Sequence, residues 1–341
     1  MPIPSTRERS MKIDIFPHIM PEKYREKLLK VTPSSFQGKY RPVFAIPMLS
    51  NVELRFKLMD RYEGLKQVLT LASPALEEIP DRSAALDLAK LANDEMAELV
   101  ATYPDRFPAA VAALPMHDME AALRELDRAI HDLGCKGIQL FTPIQDKPLD
   151  SAEFRPLYEK MAHYDLPIWI HPTRNADYPD YRTEKESKYV VHSVLGWPFE
   201  TAVAMTRLVF SGVFNRWPKL KLITHHCGGM VPFFGDRIVS IYEKAVNVVG
   251  AEFDLQKPLI EYYRMFYNDT ALYGGTPSLM CGYAMFGGDH MLFGTDMPLG
   301  DSHGGTKNTE KTIESIEGMT IPREEKEKIF ADNARKLLHL T

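Results

Sequence analysis

Short apolar runs alternate with amphipathic stretches along most of the chain, and this alternation predicts the fold. The strand-like runs are residues 12–16, 65–72, 109–114, 137–141, 167–171, 219–225, 267–272 and 290–295. Residues 83–103 carry Leu86, Leu88, Leu91, Met96 and Leu99 at mixed three- and four-residue spacing, the mark of an amphipathic helix. Residues 119–133 and 151–163 read the same way, with Asp118 and Ser151 in N-cap position. Eight strands separated by helices predict an α/β chain closed as a distorted (β/α)8 TIM barrel. A doubly wound open sheet is the competing arrangement. No Gly-rich phosphate-binding turn follows the first strand, and the even spacing favours the barrel. Residues 1–341 therefore read as one domain.

Two stretches exceed the repeat. Residues 21–61, rich in Pro, Ser and basic side chains, follow the first strand, and residues 173–196 follow the fifth. Both are expected as insertion loops over the carboxyl-end face of the barrel, where long loops serve as lids or subunit contacts. Residues 322–340 predict a basic amphipathic helix on the barrel's outside.

Several strand runs end on residues that bind metals. His171 ends one, His225 and His226 end the next but for a helix, and Asp296 closes the last. A (β/α) barrel builds its active site at the carboxyl ends of its strands. Imidazoles and a carboxylate placed there are the donor set of a divalent metal with a neighbouring acid or base. Each residue alone has a plainer reading, as a buried histidine bonded to a carbonyl or as a helix-capping aspartate. Their shared position favours the metal site. On the first strand, alternation puts Asp14, Phe16 and His18 on one face, with His18 at the rim as a ligand. A break at Pro17 would instead leave His18 in a loop. His225 and His226 are adjacent, so they face opposite sides if the strand continues, and the pattern does not choose between them.

Composition narrows the class of partner. The 341 residues are 45% hydrophobic and carry a net charge of −5, with no basic run, which argues against nucleic acid. No apolar stretch approaches the roughly 20 residues of a membrane span, and the N-terminus lacks a signal-peptide core. Cys135, Cys227 and Cys281 are odd in number and widely spaced, which fits neither a disulfide framework nor a cysteine-rich zinc site. A cytoplasmic enzyme is expected.

The segments "KIDIFPHIMP", "GWPFETAVAMTRLVFSGVFNRWPKLKLITHHCGGMVPFFGDRI", "FGTDMP" and "IFADNARKLL" carry a family likeness. In their order and motifs the chain resembles the amidohydrolase superfamily. The similar branch contains aminocarboxymuconate semialdehyde decarboxylase and related nonoxidative decarboxylases. The resemblance implies a distorted barrel with one divalent metal, zinc first, with manganese, iron or cobalt as alternatives. The family usually has His-x-His on the first strand, or Glu-x-His or Glu-x-Ala in the aromatic-acid decarboxylases. His18 matches the second position of that motif, while Phe16 stands at the first and cannot bind a metal. The implied ligands are then His18, His171 and Asp296, with water or substrate beyond them. His226 matches the family's acid/base histidine, which favours it over His225 for the inward role and leaves His225 to stability.

The activity so implied is metal-dependent nonoxidative decarboxylation of a small aromatic or unsaturated carboxylic acid, with His226 and Asp296 as catalytic residues. Arg174, three residues past His171, is the candidate for the substrate carboxylate, because its planar fork matches one. The alternative is a metal-dependent hydrolase or hydratase acting on a similar acid, since one ligand set serves both. A homo-oligomer is expected, with neither nucleic acid nor membrane as partner.

Overall fold

A computed structural model describes residues 11–253, 255–300 and 304–340. Each of the eight expected runs contains strand. The segments are β1 (Lys12–Asp14), β2 (His18–Ile19), β3 (Leu65–Leu71), β4 (Ala109–Ala110) and β5 (Ala112–Ala113). They continue with β6 (Ile138–Thr142), β7 (Ile168–Pro172), β8 (Leu222–Thr224), β9 (Tyr267–Asp269) and β10 (Met291–Leu292).

Every pairing between these segments is parallel. β1 and β2 are two pieces of the first barrel strand, and both pair with β3. β3 pairs with β4. β4 and β5 flank Val111, whose N–H donates to the Leu69 carbonyl at 2.9 Å, so they form one interrupted strand. From β5 to β10 the order follows the chain. The two ends then meet, because the Ile15 N–H donates to the Phe293 carbonyl at 2.9 Å. The first and eighth strands are neighbours, as a barrel requires.

Alternation along the strands divides two cores. Trp169 on β7 and Ile223 on β8 point inward with Ile13, Ile15, Val68 and Leu292. Their chain neighbours Ile168, Ile170 and Leu222 pack outward against the helix layer. Trp169 is fully buried, and its indole N–H donates to the Ile15 carbonyl at 2.8 Å, across the barrel's interior. This is a packed interior, not a channel.

The helices follow the sequence pattern with small shifts. Helix Arg82–Thr102 is capped by Asp81, whose carboxylate accepts from Ser83 and Ala84. Helix Met119–His131 is capped by Asp118, which accepts from the Ala121 N–H at 3.0 Å. Ser151 does not cap. A short 3-10 turn, Ala152–Phe154, intervenes before helix Arg155–Tyr164, so the serine stands too far from the helix's free N–H groups.

Two expectations need correction. Residues 21–61 are not an open loop but a run of short helices, among them Glu22–Val31 and Val52–Met59. Tyr24, Leu28, Leu49, Leu58 and Met59 are buried there, and apolar side chains in that number cannot stay in solvent. Glu95 also ties this run down, accepting from the Tyr24 N–H at 2.6 Å. The C-terminal helical segment does not lie on the barrel's outside either. Ala331, Ala334, Leu337 and Leu338 join the inner core at the strand starts, beside Ile13 and Ala109. Their spacing gathers them on one face, and the two alanines are small enough to enter the barrel's amino end. That end is plugged, so chemistry is left to the other.

Candidate metal centre

The carboxyl ends of four barrel strands bring His18, His171, His225 and Asp296 together. Each offers one donor atom, and all four donors lie within 4.8 Å of one another. All four side chains are buried. His18 Nε2 stands 2.9 Å from Asp296 Oδ1, and His225 Nε2 stands 3.5 Å from the same oxygen. His18, His171 and Asp296 thus meet as their strand-end positions predicted.

Each imidazole is held from behind through Nδ1. The Thr70 hydroxyl donates to the Pro17 carbonyl at 2.7 Å, so its lone pair is left to accept from His18 Nδ1 at 3.2 Å. His171 Nδ1 is 2.7 Å from the Pro172 carbonyl, which can only accept. His225 Nδ1 donates to Asp269 Oδ2. With Nδ1 turned to its outer partner in each ring, Nε2 is the nitrogen that meets the cluster, and a metal bound there displaces any proton it carries. The Nε2 atoms of His18 and His225, and Oδ1 of Asp296, are buried with no hydrogen-bond partner. Buried orphan acceptors grouped in this way are the donor set of a cation. Metal-binding histidines are oriented by just such outer partners. The residues fit a divalent metal.

The adjacent histidines divide differently from expectation. His225 keeps extended backbone, with φ −82° and ψ 159°, so it faces inward in the same sense as Ile223. His226 follows at φ 54°, where the chain turns away. It still borders the site, its ring 3.9 Å from that of His225 and 6.2 Å from that of Trp197. The expectation that His226 takes the inward place and His225 the outward one is therefore corrected. Cys227, Gly228 and Gly229 continue the turn at positive φ. A Cβ on Gly229 would collide with the Pro198 carbonyl, so glycine is required there.

Electrostatics separate the histidines further. Burial alone would lower His225, but Asp269 and Asp296 outweigh it and raise its pKa to about 9. Burial and the charge of His225 push His226 down to about 3. Burial, reinforced by His225 and His18, takes His171 well below its ordinary value. For Asp296 burial acts upward, yet the neighbouring His18 and His225 imidazoles outweigh it and hold it well below the carboxylate range.

Asp296 itself has φ 61°, and its Oδ2 accepts from the Tyr273 hydroxyl. Arg174 stands apart from the donors. It lines a cavity of about 520 Å³ at the barrel mouth with Glu77, Asn175 and Tyr178. Its Nη1 donates to Glu200 Oε1 at 2.8 Å, so a carboxylate of the protein already occupies part of the fork. Asp269, Thr70, Trp197 and Tyr273 were not singled out in the sequence, where nothing in their spacing marks them.

The amidohydrolase family pattern matches residues 55–340. The chain belongs to the amidohydrolase family. Among relatives of this amidohydrolase, the gamma-resorcylate decarboxylase of Rhizobium radiobacter is 32% identical over 310 residues, 89% of this chain and 91% of the relative. The solved 2,6-dihydroxybenzoate decarboxylase from Rhizobium has a TM-score of 0.79 at 28% identity, covering 96% of this chain and 98% of that one. A dihydroxybenzoic acid decarboxylase from Polaromonas, with bound manganese and the inhibitor 2-nitroresorcinol, has a TM-score of 0.75 at 26% identity. It covers 96% of this chain and 97% of its own. The barrel fold and the decarboxylase branch expected from the sequence motifs are both met. No helix among the described residues is long and apolar enough to cross a membrane.

Proposed function

We propose that this amidohydrolase is a metal-dependent nonoxidative decarboxylase of a small aromatic or unsaturated carboxylic acid. The observation that carries the reading is the buried set of donors at the strand ends, in a chain whose relatives are decarboxylases of such acids. His18, His171 and Asp296 are the proposed ligands. Bound there, a divalent cation supplies Lewis acidity toward the substrate's oxygens as CO₂ departs. The ligand types suit zinc or manganese, and the manganese of the Polaromonas relative moves manganese level with zinc.

The remaining work falls to the chain's own side chains. The carbon that loses CO₂ must gain a proton. His226, held near 3 by its surroundings, rests as the neutral imidazole. A neutral imidazole bordering the site can take a proton from one group and deliver it to that carbon. Asp296, anionic and accepting through Oδ2 from the Tyr273 hydroxyl, is the second proposed catalytic group and fixes that hydroxyl at the site. Arg174 at the mouth is our candidate to meet the substrate carboxylate, in exchange with Glu200. Trp197 packs near both His171 and His226.

We further propose a cytoplasmic homo-oligomer. Phe233, Ile241, Val248 and Val249, along helical residues 231–249, are all more than half exposed, and exposed apolar side chains of this kind support a subunit contact there. Incubating the purified enzyme with hydroxybenzoic and muconate-type acids, followed by product mass analysis, tests the activity. Loss of CO₂ with no other change supports it. Products that gain water contradict it.

A further inference from the structure

We propose that His225 is a fourth protein ligand of the metal, replacing the ligand that Phe16 cannot supply from the first strand. It rests on the metal-centre reading above, whose three ligands exclude His225.

Phe16 forms one wall of the donor cluster. Its ring centroid lies 5.7 Å from that of His18 and 5.9 Å from that of His171. A phenyl ring has no lone pair to give. Instead it stacks on His225 at 4.0 Å with the planes 23° apart, which fixes the imidazole's tilt. The ring that Phe16 orients is the one that brings an additional nitrogen into the cluster.

Three further observations agree. His225 Nε2 is buried, has no hydrogen-bond partner, and lies 3.5 Å from Asp296 Oδ1. Leaving a buried polar atom unpaired is destabilising, and coordination removes that cost. Asp269 stands behind the ring and accepts from Nδ1, giving the carboxylate–histidine arrangement that orients metal ligands and raises their basicity. Asp269 is itself fixed, since its Oδ1 accepts from the Cys227 N–H at 3.1 Å and the Ala271 N–H at 3.0 Å. His226 differs: its Nδ1 is also unpaired, but the ring stands outside the donor cluster, and among the described residues no carboxylate is bonded to that nitrogen.

Extended X-ray absorption fine structure of the zinc-loaded parent counts imidazoles directly, with no variant to misfold. Three imidazoles per zinc are expected. Two would overturn the proposal while leaving the metal centre intact, and no stoichiometric zinc would overturn the metal centre itself. Cobalt(II) titration gives an independent readout. His225→Ala should change the visible d–d spectrum and weaken cobalt binding by at least the roughly 10–100-fold that loss of an outer partner costs. Adding Phe16→His to that variant should restore much of the affinity. An unchanged spectrum and affinity in His225→Ala would refute the proposal.

Discussion

Arg55 reaches from the helical insertion after the first strand to the backbone of His18. Its Nη2 donates to the His18 carbonyl, and its Nη1 donates to Gln67 Oε1 at 2.9 Å. The residue has no exposed surface, and burial lowers its pKa to about 10, which still leaves it charged at neutral pH. The insertion thereby braces the strand that presents a proposed metal ligand. Arg55→Met should keep the volume yet strand two buried acceptors, costing about 2–6 kcal/mol of stability at about 1–3 kcal/mol each. Urea unfolding of the metal-free protein measures this directly. A loss below about 1 kcal/mol would show that Arg55 is dispensable there.

His226→Ala should keep the fold and the metal but lose about 10²–10⁴-fold in kcat. Metal analysis and steady-state kinetics on the same preparation check both halves. A rate within a few-fold of the parent's would remove His226 from the chemistry.

Arg174→Ala should act chiefly on KM. A charged hydrogen bond to a carboxylate contributes about 1.5–3 kcal/mol, or roughly 10–100-fold in binding. Glu200→Gln, which removes the competing carboxylate from the guanidinium, should lower KM or leave it unchanged. If Glu200→Gln raises KM as much as Arg174→Ala does, the pair acts as structure, not as a substrate clamp.

Glu77 gives a pH signature away from the donors. Its buried carboxyl, with Oε1 unpaired, is pushed up to about 8 by burial. The fold therefore favours the neutral acid. Stability from this group is full below about pH 4.5 and is lost as pH rises toward about 8. Glu77→Gln should flatten the fall in urea midpoint between about pH 5 and about pH 8. An identical slope in parent and variant would show that Glu77 titrates normally.

Much of this arrangement could be read from residue patterns, and the misses have physical causes. The strands stood out because each is an apolar run stopped by a polar residue. His18, His171 and Asp296 stood out because each is that polar residue. His225 was masked by its neighbour, since two adjacent histidines offer either parity. Counting outward from Ile223 places His225 inward, but that needs to be known of Ile223 first. Asp269 carries no local mark at all, because its role exists only where β8 and β9 lie side by side. The C-terminal helix was misplaced for a related reason. Its apolar face is evident in the chain, whereas the open barrel end that receives it is a property of the closed sheet.

The most direct test of the central claim is release of CO₂ from a carboxyl-labelled hydroxybenzoic acid by chelator-treated and metal-reloaded enzyme. Release should be abolished by the chelator and restored by one equivalent of manganese or zinc. His171→Ala should bind little metal and stay inactive after reloading. Full CO₂ release from metal-free protein, or none from the reloaded parent across the acids tested, would contradict the account.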